Sequence, residues 1–312
     1  MQNKKFYPWL VVAMLWVVAL LNYLDRQMLA TMRPFMKISI EELNSAANFG
    51  RLMAVFLWIY AFMSPISGII ADRLNRKWLI VGSLLVWSMV TLTMGYAKTF
   101  DQLYFLRAIM GISEAFYIPA GLALIVDYHQ DKTRSIAVGI HTTGIYLGQA
   151  FGGFGATIAA VTSWQMTFHT FGLIGIAYSL VLVFFLKEKK GYTVDNTRKI
   201  TMRQEFSNAF KGLGMLFGNI CFWVILFYFA APSLPGWATK SWLPTLFSDT
   251  LHMDMSQAGP LSTITISMAS LVGVLFGGYL SDKWVQKNLK GRVYTGAIGL
   301  GLTIPALFLL GY

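Results

Sequence analysis

The sequence predicts an all-α membrane protein. Of its 312 residues, 56% are hydrophobic and only 12% charged, where a soluble domain carries roughly 25% charged residues. The mean hydropathy is +0.56. The apolar residues also gather into runs of about twenty, the length a helix needs to cross the hydrocarbon core. These runs lie near residues 8–31, 47–71, 78–97, 102–127, 135–160, 165–186, 214–231, 256–280 and 292–312, which predicts nine spans.

The first run follows Lys4 and Lys5 and continues through "YPWLVVAMLWVVALL" into Asn22–Arg26. It has no small-residue cleavage site, so it is expected to stay as a helix and not to leave as a secretory signal. The second run ends in the polar stretch "GIIADRLNRK", residues 68–77. The fourth holds Arg107, Gly111 and Glu114 at i, i+4 and i+7, one helical face about 10 Å long. The fifth holds Gly144, Gly148 and Gly152 at four-residue steps, a small-residue face for close helix packing. "KEKKGYTVDNTRKITMRQEFSNAFKG", residues 187–212, is the long polar stretch that divides six runs from three. The expected organisation is a six-helix bundle over 1–186, a cytoplasmic linker over 187–213 and three helices over 214–312. The single cysteine, Cys221, excludes an internal disulfide and a cysteine metal cage. It is expected to be a buried small apolar residue.

Lysine and arginine set the orientation. Eighteen of the 25 fall on the side of the N-terminus and the linker, five on the other side, and Arg26 and Arg107 inside helices. This predicts a cytoplasmic N-terminus. The net charge of +11 then reflects topology and contact with anionic lipid, and not nucleic-acid binding.

Asp25, Arg26, Arg107 and Glu114 are the candidate site. An ionised side chain at the bilayer centre costs about 2.5–3.5 kcal/mol on insertion scales, so such groups face a protein interior or a watery cavity. Two arginines, always charged and fork-shaped, select a carboxylate. In the same low-dielectric region burial favours a carboxylate's neutral form and a nearby arginine its charged form, which makes a proton switch possible. The alternative is that the four groups only pair with one another to hold helices 1 and 4 together. Thr142, Tyr146 and Gln149 could line a cavity or pack, His141 and His169 lack carboxylates at ligand spacing, and Asp127 and Asp131 are expected in a solvated charge cluster.

The end of the second run, with Gly68, Asp72, Arg73, Arg76 and Lys77, is echoed six helices later by Gly278 and Asp282 in "FGGYLSDKW". Such repeats are typical of secondary transporters with a midplane site between halves. Gly68 would permit a close helix contact, Asp72 would accept from a neighbouring helix start, and the basic residues would hold the loop at the lipid surface. With this motif the chain resembles the major facilitator superfamily, although Asn75 replaces a glycine of its signature. The resemblance implies twelve helices. The sequence stops in the ninth, at "LTIPALFLLGY", so a fragment or truncated product is expected.

"NYLDR", "LRAIMGISEAFYIPA" and "KSWLPTLF", the last with Leu246 in place of a tyrosine, look like the anion:cation symporter branch. That resemblance implies symport of a hexuronate, aldonate or similar organic anion with protons or, as second choice, sodium. Arg26 and Arg107 would bind the carboxylate, and Tyr23, Tyr146 and Gln149 would lie in the substrate site. Asp25 and Glu114 would take up protons, and residues 68–77 with Asp282 would gate the conformational change. No cofactor or metal is implied, and a monomer in a bacterial inner membrane is expected. A spinster-like lysolipid or sphingolipid carrier, which shares "N-Y-x-D-R-Q", is the runner-up, with a non-transporting sensor behind it. Enzymatic motifs, a phosphate-binding loop, H-E-x-x-H and G-x-S-x-G among them, do not occur.

Overall fold

The computed structural model describes residues 3–129, 133–189, 202–286, 288 and 290–310. They form twelve α-helices and one 3₁₀ turn: α1 (Asn3–Met36), α2 (Ala46–Ala71), α3 (Arg76–Met94), α4 (Phe100–Ala115), α5 (Tyr117–Tyr128), α6 (Arg134–Gly152), α7 (Phe154–Val161), α8 (Trp164–Phe185), α9 (Met202–Phe217), α10 (Ile220–Thr250), α11 (Met255–Val285) and α12 (Gly291–Leu310). Among the described residues eight spans are long and apolar enough to cross a membrane, and Val293–Ala306 is a shorter apolar helix.

Two predicted spans are broken, each for a local reason. Pro119 has no N–H for the carbonyl of Ala115, and its ring crowds that carbonyl, so the fourth span divides into α4 and α5 at Phe116. The fifth divides into α6 and α7 at Gly153. Carbonyls loosened there find hydroxyls: Thr263 Oγ1 donates to Ala150 O at 2.9 Å and Thr31 Oγ1 to Gly152 O at 3.3 Å. In hydrocarbon such groups must be satisfied from within the protein.

The linker also departs from expectation, because its second half is helical (α9). The seventh span then starts at Ile220, where the Asn219 side chain caps Cys221 N at 2.9 Å, and runs on through Pro244 to Thr250. Cys221, expected to be buried, is exposed there.

One large core joins α1 to α8, with Leu15, Met28, Phe56, Trp87, Leu124 and Phe168 among its members. Helix α1 is its centre, and its most extensive neighbour is α6. A methyl group on Gly144 would sit 2.6 Å from Trp16 O, one on Gly148 would run into Leu20 O, and one on Gly152 would sit 2.9 Å from Leu24 O. The glycine stripe therefore faces successive turns of α1, as its spacing predicts. Gly111 does the same for α4, where a methyl group would lie 2.8 Å from Phe56 O on α2.

Segments before and after the linker meet at the end of the molecule away from it. Phe49 and Trp242 pack edge to face at 5.7 Å between ring centres, and the Arg33 guanidinium lies 5.2 and 5.3 Å from those rings. Gln27 Nε2 donates to Lys240 O at 2.9 Å, and Thr157 Oγ1 to Ser256 O at 2.7 Å.

Gly148→Leu should lower the thermal stability of the detergent-solubilised protein by several degrees, because overpacking costs about 1–3 kcal/mol even where side chains can yield, and here the obstacle is backbone. Gly139→Ala, on the same helix but with open space around it, should leave the melting point unchanged or raise it, since alanine favours a helix by about 1 kcal/mol over glycine.

Candidate functional site

The close approach of α1 to α6, and of α2 to α4, brings the four predicted charges into one buried region. Asp25, Arg26, Arg107 and Glu114 are at most 7% exposed, and Glu114 is fully buried. Arg26 Nε donates to Glu114 Oε2 at 2.6 Å, an ion pair between α1 and α4. Arg107, on the helix face of Glu114, is a charged neighbour of that carboxylate but makes no hydrogen bond to it. Arg107 instead donates to Met110 Sδ at 3.2 Å.

Aromatic rings complete the shell. The Arg26 guanidinium lies 4.8, 4.7 and 4.8 Å from the ring centres of Tyr23, Phe56 and Tyr60. Arg107 lies 4.5 Å from the same Phe56. One ring thus contacts both cations, whose mutual repulsion is eased by its electron-rich face and by Glu114. Hydrogen bonding is incomplete: Arg26 Nη2, Arg107 Nε and Glu114 Oε1 are buried without partners. Two guanidinium N–H donors are therefore available to an anion beside a carboxylate oxygen with spare capacity. Asp25 is held differently, accepting from Thr91 Oγ1 of α3 at 3.2 Å. Phe56, Tyr60 and Thr91 were not identified from sequence. No local signal marks them, since their roles arise from α2 and α3 packing on α1 and α4.

Of the other predicted residues, Gln149 is buried with Oε1 unpaired and Tyr146 is half-buried. His141 pairs with Tyr117 Oη at 2.8 Å, and Tyr117 donates to Leu15 O at 2.7 Å. His169 packs on Tyr96.

The signature loop differs from expectation in three respects. A methyl group on Gly68 would meet nothing within 4 Å, so this glycine makes no close helix contact among the described residues. Asn75 takes an extended conformation and caps α3, accepting from Trp78 N at 3.2 Å, a position that needs no glycine. The basic side chains turn inward. Arg76 pairs with Asp127 of α5 and donates to Ala123 O at 3.2 Å, while Lys77 Nζ donates to Val183 O at 2.7 Å. Glu188 accepts from Lys77 N at 2.9 Å. Helix-end carbonyls attract cations, which outweighs solvation at the lipid surface. Asp127 is thus a structural partner of the loop and not part of a solvated cluster. Asp131, and the side chain of Asp282, lie outside the described residues. Asp72 closes α2 through its backbone N–H to Gly68 O.

Residues 15–312 match the Major Facilitator Superfamily profile. The chain belongs to that superfamily. Membership places it among transporters and not among enzymes. It is 28% identical to the hexuronate transporter of Escherichia coli over 304 residues, covering 93% of this chain and 69% of that protein. It is 25% identical to the galacturonate transporter of Dickeya chrysanthemi, covering 97% and 89%. An inward-facing, unoccupied bacterial homologue of the human lysosomal transporter Spinster superposes with a TM-score of 0.73 at 23% identity, covering 90% of this chain and 64% of that one. That likeness concerns the superfamily fold alone. The chain spans about two thirds of the length of the Escherichia coli transporter and of the Spinster homologue, and most of the Dickeya protein.

Arg26→Ala should destabilise the protein by about 3–5 kcal/mol, because it strands a buried carboxylate, whereas replacing a buried ion pair by apolar groups of similar volume is often neutral. The double change Arg26→Met with Glu114→Leu should therefore recover most of the stability in detergent unfolding. If the single and double variants lose stability equally, the pair is not the interaction that joins α1 to α4.

Proposed function

We propose that the protein is a proton-coupled symporter of a small organic anion, with hexuronates and aldonates as the leading substrates, working by alternating access as a monomer in a bacterial inner membrane. The observation that carries this reading is the buried Arg26–Glu114 pair beside Arg107, with an unpaired N–H on each guanidinium. The sugar-acid transporters among the relatives support the substrate class. The organisation as a bundle of 1–186, a linker of 187–213 and helices from 214 onward is part of the same reading, as is the cytoplasmic N-terminus. In that orientation the contacts of Arg33, Phe49 and Trp242 lie on the outer side.

The reading assigns these steps. A substrate carboxylate takes the free N–H groups of Arg26 and Arg107 and competes with Glu114 for Arg26. Losing its counter-charge in a dry site, Glu114 accepts a proton and becomes neutral. Asp25, which accepts from Thr91 and not from an arginine, is the second proton site, and sodium is the alternative coupling ion. Tyr23, Tyr146 and Gln149 offer polar groups to the sugar. Residues 68–77, through the Arg76–Asp127 pair, and Asp282 serve the conformational change.

In liposomes, Glu114→Gln and Asp25→Asn should keep counterflow of labelled galacturonate but lose accumulation driven by a pH gradient. Wild-type accumulation in Glu114→Gln would remove the coupling role. Arg107→Ala should weaken anion binding by about 2 kcal/mol, the scale of a hydrogen bond to a charged group, and Arg107→Lys should restore only part, since an ammonium lacks the fork. Unchanged binding in Arg107→Ala would return this arginine to a packing role. Accumulation of a labelled lysolipid and not of a sugar acid would replace the substrate class.

A further inference from the structure

Asn22 is fully buried; neither atom of its amide makes a hydrogen bond of good geometry, and the one group it approaches closely enough to interact with is the Glu114 carboxylate. It lies one turn before Arg26 on α1, at i and i+4, and so shares that residue's face. Its amide neighbours the Glu114 carboxylate, whose Oε1 is also unpaired. An apolar side chain would fill this place without leaving two polar atoms unsatisfied at membrane depth. An amide can do what neither a hydroxyl nor an apolar group does as well: donate to a carboxylate through Nδ2 and accept from a carboxylic acid through Oδ1, with separate atoms for each.

We propose that Asn22 is a positioning residue for proton coupling. When the substrate draws Arg26 away, the Asn22 oxygen accepts the O–H of newly protonated Glu114, and when Arg26 returns, the amide N–H faces the carboxylate again. This rests on the reading of Glu114 as a proton site. Other charged or titratable groups around Glu114 are Asp25, Arg26 and Tyr23 from α1, Tyr60 from α2 and Arg107 from its own helix. Tyr23, at i and i+3, also shares the face of Arg26, but its ring lies against that guanidinium, 4.8 Å from it. Asp25 already has its own partner in Thr91, which leaves Asn22 to serve Glu114.

The test is infrared difference spectroscopy of the purified full chain, titrated with and without galacturonate. The carboxylic-acid C=O band that Glu114→Gln abolishes is the reporter, because a hydrogen-bonded acid absorbs at lower frequency than a free one. In Asn22→Leu that band should move to higher frequency and its pH midpoint should shift. Asn22→Ser, smaller and still polar, should show the same change in lesser degree if the leucine variant does not fold. A band unmoved in frequency and midpoint in the folded variant overturns the role of Asn22 and leaves the coupling reading intact. If no wild-type band disappears in Glu114→Gln, it is the reading of Glu114 as a proton site that fails, and the Asn22 role fails with it.

Discussion

The rest of the structure depends on the ion pair between Arg26 and Glu114. Two opposite charges at hydrocarbon depth hold together strongly if they touch and are very costly if they do not. Contact at 2.6 Å requires α1 and α4 to keep a set register and distance. Helix α4 is placed by Gly111 against the backbone of α2, and α1 by Gly144, Gly148 and Gly152 on α6. These glycines carry no chemistry, yet they set how near the helices that carry it can lie. Without a hydrophobic drive between helices in lipid, such close packing does much of the work of association.

The pair is under-satisfied, as the proposed site, which must take up an anion, requires. A purely structural bridge gains from using every donor and acceptor, because buried unpaired groups are expensive. Here each guanidinium retains a free N–H and Glu114 a free oxygen, with the Asn22 amide beside the carboxylate. The linker end of the same helices is tied by several contacts: Arg76 to Asp127 and Ala123 O, Lys77 to Val183 O and Glu188, Tyr7 to Phe185 O.

Much of this was legible in the sequence, for identifiable reasons. Arg26 and Glu114 stand out because charge is rare in an apolar run, and the glycine stripe because four-residue spacing marks a helix face. Membership in the superfamily was legible from residues 68–77. Partners were not. That Glu114 meets Arg26 and not Arg107 depends on how α1 crosses α4, which no periodicity encodes. Phe56 looks like any core phenylalanine until two guanidinium groups are found against it. Asn75 looked like a lost turn glycine, whereas the backbone there is extended and suits an asparagine cap. The inward turn of Arg76 and Lys77 was hidden because the count of basic residues gives side, not direction. Helix α9 was hidden by the polarity of its segment.

In the proposed mechanism an anion and a proton enter the same buried centre in linked fashion, because the anion displaces Glu114 from Arg26. The most direct measurement is proton exchange on ligand binding: galacturonate is added to the purified protein in weakly buffered detergent solution, and bound protons are followed with an indicator dye as occupancy rises. Linkage requires proton uptake in proportion to the anion bound, and uptake should fall when Glu114 is replaced by glutamine. Saturable binding of the anion with no proton taken up, or with protons released, would contradict the account.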